Sequence, residues 1–563
     1  MKKLTDLLPA AAHPSVDVRS RAYLTPVRVA LCRGNVQNAE SLLRDLPRQI
    51  LFEYPGAAPC TLKGAGATVV LDFGRELHGG AEISVFEVIG AADARLHIRF
   101  GESVSEAMST VYGDDNATND HATRDTEIRV RNWSMSAHFE TGFRFLSIEL
   151  SDDVEVRFHT VKAVIVYRDI PYIGSFESSD PLLDRIWETG AYTVHLNMQQ
   201  YIWDGVKRDR LVWIGDLHPE ISSIMAVFGD QSVIRDSLDF AAAHTPPDEW
   251  MNNLPSYSMW WLIILFDYYR QYGDKDYLAR HLDYVTVLCR HLAGFIDENG
   301  KDSTPQNRFL DWPTQSNPRA TDAGLQSLHI LATRAAREIF LTMGRDAEAA
   351  ACARDLSRLE KCPVECGGAK QAAAFMVLAG LANAKETDRE VLSVGGAAGF
   401  STFTGFYVLQ AMAKAENFAG ALDAIRAYWG GMLSLGATTF WEDFDLAWLK
   451  NAAPIDRLPK SGEIDVHGAY GNYCYKGFRH SLCHGWASGV TPFLSRYILG
   501  IEVTKPGCTE ITVTPHLCDL SFAKGTYPTP FGTLFVEHRK DAAGKVHTTV
   551  KAPAGVSVIV NEQ

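Results

Sequence analysis

The run from Asp204 to Asp216 (Asp-Gly-Val-Lys-Arg-Asp-Arg-Leu-Val-Trp-Ile-Gly-Asp) sets three carboxylates, three basic side chains and a tryptophan within thirteen residues. Gly205 and Gly215 punctuate it, so part of it reads as loop rather than continuous helix. Roughly two hundred residues later comes a second acidic-aromatic cluster, Thr438-Thr439-Phe440-Trp441-Glu442-Asp443. Carboxylates from two distant segments, each beside tryptophan, supply what cleavage of a glycosidic bond requires. One protonated carboxyl meets the leaving oxygen. A second carboxylate acts on the anomeric carbon, directly or through a water, and aromatic faces wall the ring.

Asp209 is the expected proton donor and Glu442 the expected base. Asp209 lies between Arg208 and Arg210, an unfavourable setting for an acid if those charges touch it, but chain neighbours often point in different directions. A surface ion pair is the bland account of Asp209 alone. It explains poorly why three acids share one tryptophan-bearing loop. Glu220 and Asp443 stand in reserve. Trp203, Trp213, Trp312 and Trp441 each lie within five residues of an acid in a loop-like segment, and are read as pocket walls. Trp187, Trp260 and Trp429 are assigned to helix packing.

The elements that must position these residues fall into three blocks. Up to residue 172 the chain shows short alternating runs, such as Ala81–Val88, Arg95–Phe100 and Glu127–Arg131, with a turn expected at Arg75–Gly80. That pattern predicts an antiparallel β-sandwich. Ser179-Asp180-Pro181 is a helix-start signal. About twelve helices then follow in a block spanning residues 173–498, many joined by short polar turns such as Gly273-Asp274 and Gly344-Arg345. Some six helical hairpins fit a closed (α/α)6 barrel; an open solenoid is the competing geometry. Residues 499–563 return to strands and read as a small β-domain that must pack on the helices for stability.

With 563 residues, 46% apolar and 22% charged, the chain has the composition of a multidomain globular protein. A net charge of -14 disfavours nucleic acid and anionic membrane as partners, and no apolar run is long enough to span a bilayer. Met1–Asp6 does not form a convincing signal peptide. Ten cysteines are scattered without metal-site spacing, so reduced thiols in a cytoplasmic protein are expected. Neither cofactor nor metal is called for, although His467, His480 and His484 lie near Glu463 and Asp465 in sequence. The expected partner is a carbohydrate; a homo-oligomer is left open.

At these residues the chain resembles glycoside hydrolase family 78, the inverting α-L-rhamnosidases. The family pattern D-x-x-x-R-E-x-L-G-W-x-G-D is met by Asp204, Arg208, Leu211, Trp213, Gly215 and Asp216. Asp209 occupies the general-acid position, and Glu442 in Thr-Thr-Phe-Trp-Glu resembles the general-base motif. Leu71–Gly74, Arg99–Glu102 and Gly142–Phe145 resemble the family's N-terminal β-domain, Gly174–Phe176 its barrel entry, Asp311-Trp312 a further barrel motif and Ser481–Trp486 its late histidine motif. Two positions depart: Asp209 replaces the usual glutamate, and Val212 the usual glycine.

The resemblance implies an exo-acting, inverting hydrolase that releases terminal L-rhamnose. Asp204 and Asp216 would accept hydrogen bonds from sugar hydroxyls, with Asp216 as an N-cap in the alternative. Arg208 would bridge those acids and keep them charged. His484 would donate to a hydroxyl, and Trp213, Trp312 and Trp441 would line the pocket. The same barrel acting on another sugar by hydrolysis, phosphorolysis or elimination, and a non-catalytic carbohydrate-binding relative, remain as alternatives.

Overall fold

The computed structural model describes residues 17–561 apart from residues 57, 115 and 474. Met1–Asp6 and Cys474 therefore lie outside the described residues. The first block is one antiparallel sheet of β1 (Ser20–Leu24), β2 (Arg28–Gln37), β3 (Thr61–Ile89), β4 (Ala94–Gly101), β5 (Asp125–Val130), β6 (Ser134–Leu150) and β7 (Glu155–Tyr167). Its order is β1-β7-β3-β6-β4-β5, with β2 on β3. The turn expected at Arg75–Gly80 is instead a bulge inside β3, where the register with β6 slips between Asp72 and Leu77. Gly74 takes a φ of 83° there, a conformation that favours glycine. Thr61 and Glu87, near opposite ends of β3, both lie across from Arg157. The two layers expected of a sandwich are thus halves of one sheet curled over a core that includes Leu71, Ile83, Leu96 and Phe143. A short helix, α1 (Val104–Met108), leaves β4, capped by Ser103, whose side chain accepts from the Glu106 amide.

The helices of the second block are α2 (Pro181–Asn197), α3 (Ile214–Val227), α4 (Ser232–His244), α5 (Pro255–Tyr272), α6 (Lys275–Ala293), α7 (Pro318–Thr342), α8 (Asp346–Leu359), α9 (Lys370–Ala379), α10 (Ala384–Thr387), α11 (Gly405–Lys414), α12 (Phe418–Ser434) and α13 (Val490–Phe493). Asp180 caps α2 by accepting from the Leu182 amide, and Pro181 occupies its first turn. Alternate helices α3, α5, α7, α9, α11 and α13 each touch the next, and α13 touches α3 again. The neighbour order is circular, which an open solenoid would not give. α3 and α9 are buried on nearly every side, whereas α6 and α8 bury mainly one face.

The stretch from Leu482 to Ile498 is broken into a tight turn (Gly485–Gly489), the short α13 and a wider turn (Leu494–Ile498). Its first residues stay extended because they pair elsewhere: the His484 amide donates to the Phe440 carbonyl at 2.9 Å. A two-residue parallel pair, β9 (Ala452–Ala453) and β10 (Ile464–Asp465), lies in the long connection before it.

The final block holds β11 (Ile501–Lys505), β12 (Glu510–Val513), β13 (Phe522–Thr529), β14 (Gly532–Lys540), β15 (Val546–Lys551) and β16 (Ser557–Val560). β11-β12-β16 form one sheet. In the other, β15-β14-β13 is completed by β8 (Ser175–Ser178), a strand from just before α2. Phe176, Ile511, Val513, Ala523 and Val536 share one apolar core with the helices, so this small sheet has no core of its own to lose.

Candidate active site

A cavity of about 250 Å³ opens where the loop before α3 meets the segments around Glu442 and His484. Asp204, Arg208, Asp209, Trp213, Asp216, Trp312, Glu442 and His484 all line it. The backbone explains the meeting. Gly205 bridges His484 as an isolated antiparallel pair, and the Gly485 amide donates to the Asp204 carbonyl at 2.7 Å. The Glu442 amide donates to the Ser481 carbonyl at 2.9 Å, and the Ser481 amide returns a bond to Glu442 Oε2 at 3.1 Å. Asp204 closes its own loop by accepting from the Leu211 amide at 2.9 Å.

Asp209 and Arg210 both take left-handed backbone angles, φ 56° and 55°, an arrangement that costs free energy and concentrates where function demands it. The consequence is that the two arginines flanking Asp209 diverge. Arg210 turns away to the carbonyls of Glu140 and His121. Arg208 does touch Asp209, with Nη1 at 3.3 Å, and its Nη2 donates to Glu442 Oε1. Arg208 therefore bridges Asp209 and Glu442, not Asp204 and Asp216 as expected.

Asp204 and Asp216 sit deeper. Burial pushes Asp204 well above the ordinary carboxyl range, with Asp216 and Asp209 adding to the rise. Burial raises Asp216 to about 8 despite the bond it accepts from the Tyr257 hydroxyl at 2.9 Å. Burial thus biases both carboxyls toward the protonated form, in which each donates as well as accepts. Asp216 is not an N-cap: α3 begins at Ile214, with Trp213 in the cap position. His484 Nε2 stands 3.7 Å from Asp204, 3.7 Å from Glu442 and 4.0 Å from Asp216. Burial first, then Arg208, holds this imidazole well below its usual pKa, so it is neutral. Its Nδ1 has no hydrogen-bond partner.

Trp441 does not reach the cavity. It is fully buried, edge-on to Phe444 and His480, because the extended chain points it away from the face that carries Glu442. Trp203 packs against His78 instead. Trp486, quoted within the late histidine motif but not chosen as a wall, takes the vacant role: it lines the cavity, lies 4.4 Å from the His484 ring and donates to the Glu442 carbonyl at 3.0 Å. Glu220 is buried beneath Gly485, where an added Cβ would come within 2.2 Å of its Cδ. Neither Glu220 nor Asp443 lines the cavity.

Sequence reasoning also passed over Asn252, Asn253, Leu254, Tyr257, Asn307 and Phe309. The Asn252-Asn253 pair carried a usable signal, since asparagine tolerates the left-handed angles both adopt, φ 52° and 60°. Asn252 pins the end of the catalytic loop: it accepts from the Ile214 amide at 3.0 Å and donates to the Val212 carbonyl at 3.1 Å. His121, from the β5-proximal loop, approaches Asp209 at 3.4 Å.

The family model for the bacterial alpha-L-rhamnosidase 6 hairpin glycosidase domain matches residues 171–362, and that for the bacterial alpha-L-rhamnosidase C-terminal domain matches residues 500–561. Residues 171–362 and 500–561 are thus similar to two successive domains of bacterial alpha-L-rhamnosidases. No curated protein matches it in sequence. Among solved structures, the family 78 rhamnosidase of Bacillus sp. GL1 superposes with a TM-score of 0.73 at 23% identity, over 92% of this chain and 56% of that one. A rhamnosidase from Klebsiella oxytoca with rhamnose bound gives 0.67 at 20% identity, over 85% of this chain and 96% of that one. The Streptomyces avermitilis α-L-rhamnosidase complexed with L-rhamnose gives 0.67 at 16%, over 89% and 49%. This chain therefore spans little more than half the length of the Bacillus protein and nearly all of the Klebsiella one.

Proposed function

We propose that this protein is an inverting, exo-acting α-L-rhamnosidase. The observation that carries the reading is the pairing of Asp209 and Glu442, from segments far apart in the chain, on one guanidinium beside a sugar-sized cavity. Glu442 takes a proton from a water as that water attacks the anomeric carbon. Protonated Asp209 delivers its proton to the departing glycosidic oxygen. The C–O bond to the aglycone breaks as the new one forms on the opposite face, which inverts the anomeric centre.

The remaining residues bind and orient. Asp204, Asp216 and His484 present donors and acceptors to ring hydroxyls. Trp213, Trp312 and Trp486, with Leu254 and Phe309, give apolar walls suited to a 6-deoxy sugar, whose methyl group needs no hydrogen bond. The left-handed backbone at Asp209 places an acid one methylene shorter than the family's usual glutamate. Supporting the wider reading, the circular neighbour order of the helices fits an (α/α)6 barrel spanning residues 173–498 between β-domains at 1–172 and 499–563. All nine described cysteines are free, which suits a cytoplasmic setting.

The test is hydrolysis of an aryl α-L-rhamnoside by the wild-type chain, with Asp209→Asn and Glu442→Gln alongside. Each substitution is expected to lower turnover by about 10²- to 10⁴-fold; full activity in both would overturn the assignment.

A further inference from the structure

Directly before Arg208 stands a second cation, Lys207, which never sees the cavity. It is buried, and its ammonium lies 2.9 Å from Glu102 and 3.1 Å from Glu106. It also lies 3.3 Å from His467 Nε2, and it donates to the carbonyls of Phe478, at 3.0 Å, and His480. Glu102, Glu106 and His467 each bring a potential ligand atom within 4.8 Å of the others, in the manner of a metal site, but the lysine supplies the cation there. Glu102 and Glu106 belong to the N-terminal β-domain, at the end of β4 and in α1.

Glu102 reaches both halves of the active site, and Glu106 braces it. Glu102 Oε2 accepts from the Leu482 amide at 2.7 Å, and its Oε1 from the Ser481 hydroxyl at 3.4 Å. Ser481 in turn donates its amide to Glu442. Glu106 Oε2 accepts from the Glu102 amide at 2.7 Å, which fixes the first carboxylate's own backbone. A separate contact points the same way. Gly142 in β6 lies so close to the catalytic loop that an added Cβ would meet Lys207 N at 2.9 Å and Val206 Cγ2 at 2.7 Å. Sheet and loop are in backbone-to-backbone contact at the residue before Arg208.

We propose that Lys207, Glu102 and Glu106 are positioning residues, a buried ionic strut by which the N-terminal β-domain sets the distance between Asp209 and Glu442. This rests on the function proposed above. Lys207 fixes the loop two residues before the acid, and Glu102 fixes the segment that holds the base. Neither touches the sugar. Buried ion clusters contribute little net stability compared with apolar or neutral residues of the same shape, while breaking one partner alone is costly. A strut of this kind is therefore separable from the fold. Its neutral replacement stays folded, but the two carboxyls lose their register, and a misplacement near 1 Å costs about a hundredfold in rate.

The experiment compares wild-type chain, Glu102→Gln, and the triple variant Lys207→Met/Glu102→Gln/Glu106→Gln. It reads kcat and KM on an aryl α-L-rhamnoside, L-rhamnose binding by calorimetry, and thermal midpoint. Expected is a fall in kcat of about a hundredfold for the triple variant and about tenfold for Glu102→Gln. KM and rhamnose affinity should stay within about threefold, because Asp204 and Asp216 are held by Leu211 and Tyr257 instead. A triple variant that folds and keeps kcat within about twofold of wild type overturns the proposal. If the triple variant does not fold, Glu102→Gln decides: an unchanged kcat overturns the strut, and a tenfold loss at constant KM supports it. Wild-type protein that binds L-rhamnose yet cleaves no α-L-rhamnoside would overturn the proposed function itself, and the strut with it.

Discussion

Lys207 and Arg208 are adjacent cations in one loop, and they serve two unlike acidic clusters. Around Lys207 the acceptors converge until the ammonium is surrounded by two carboxylates, an imidazole and two carbonyls. Around the cavity that Arg208 faces, polar atoms are left over. His484 Nδ1 is buried without a partner, and burial pushes the Asp204 and Asp216 carboxyls above their ordinary range. A saturated cluster has nothing left to offer a ligand and fixes geometry. An unsaturated one beside a cavity is poised to bind.

Removing the second cation should separate the two clusters most sharply. Arg208→Met is expected to lower kcat by about 10³-fold, in the range seen when one preorganised donor at a reacting centre is lost. Thermal stability should fall as well, because Glu442 keeps a buried charge without its partner. Arg208→Lys, which keeps a cation without the planar fork, should recover more of the melting temperature than of kcat; parallel recovery of both would mean that Arg208 is structural, like Lys207.

The aromatic residues give a smaller contrast. Trp312 lines the cavity and stacks on Tyr473 at 5.5 Å, while Trp441 is sealed behind the base. Trp312→Ala should raise KM about tenfold, the loss of one stacked wall. Trp441→Phe should leave KM unchanged and show only in the melting temperature. Equal KM effects would mean that the cavity is wrongly drawn.

A further contrast lies in the pH dependence of stability. Asp216 titrates near 8 in the folded chain and near its ordinary value, about 4, when unfolded. Between those limits the folded state holds a proton that the unfolded state has released, so stability falls as pH rises from about 4 to 8 and the penalty is complete above 8. Asp216→Asn should flatten that slope in urea midpoints recorded from pH 5 to 9. An unchanged slope would show that Asp216 is ionised in the fold.

The pieces of this site differed in how far the sequence disclosed them. Helix periodicity and caps marked the elements, as at Asp180-Pro181, since those signals are local. The acids at 204, 209, 216 and 442 stood out because their types and spacing suit one chemistry. What stayed hidden depends on contacts between distant segments. Nothing local says that Lys207 turns inward while Arg208 turns to the cavity, that β8 joins the C-terminal sheet, or that Trp486 rather than Trp441 faces the base. The partners of Arg208 were misassigned for the same reason: which carboxylates a guanidinium meets is fixed by the left-handed turn at Asp209 and Arg210, and the chemical pattern does not encode it.

The most direct measurement is the anomer released first. Time-resolved proton NMR of aryl α-L-rhamnoside hydrolysis should show β-L-rhamnose appearing ahead of the α anomer, because the proposed mechanism has Glu442 and Asp209 act from opposite faces of the ring with a water between. Initial release of α-L-rhamnose would contradict that arrangement and require one of the two carboxylates to act as a nucleophile.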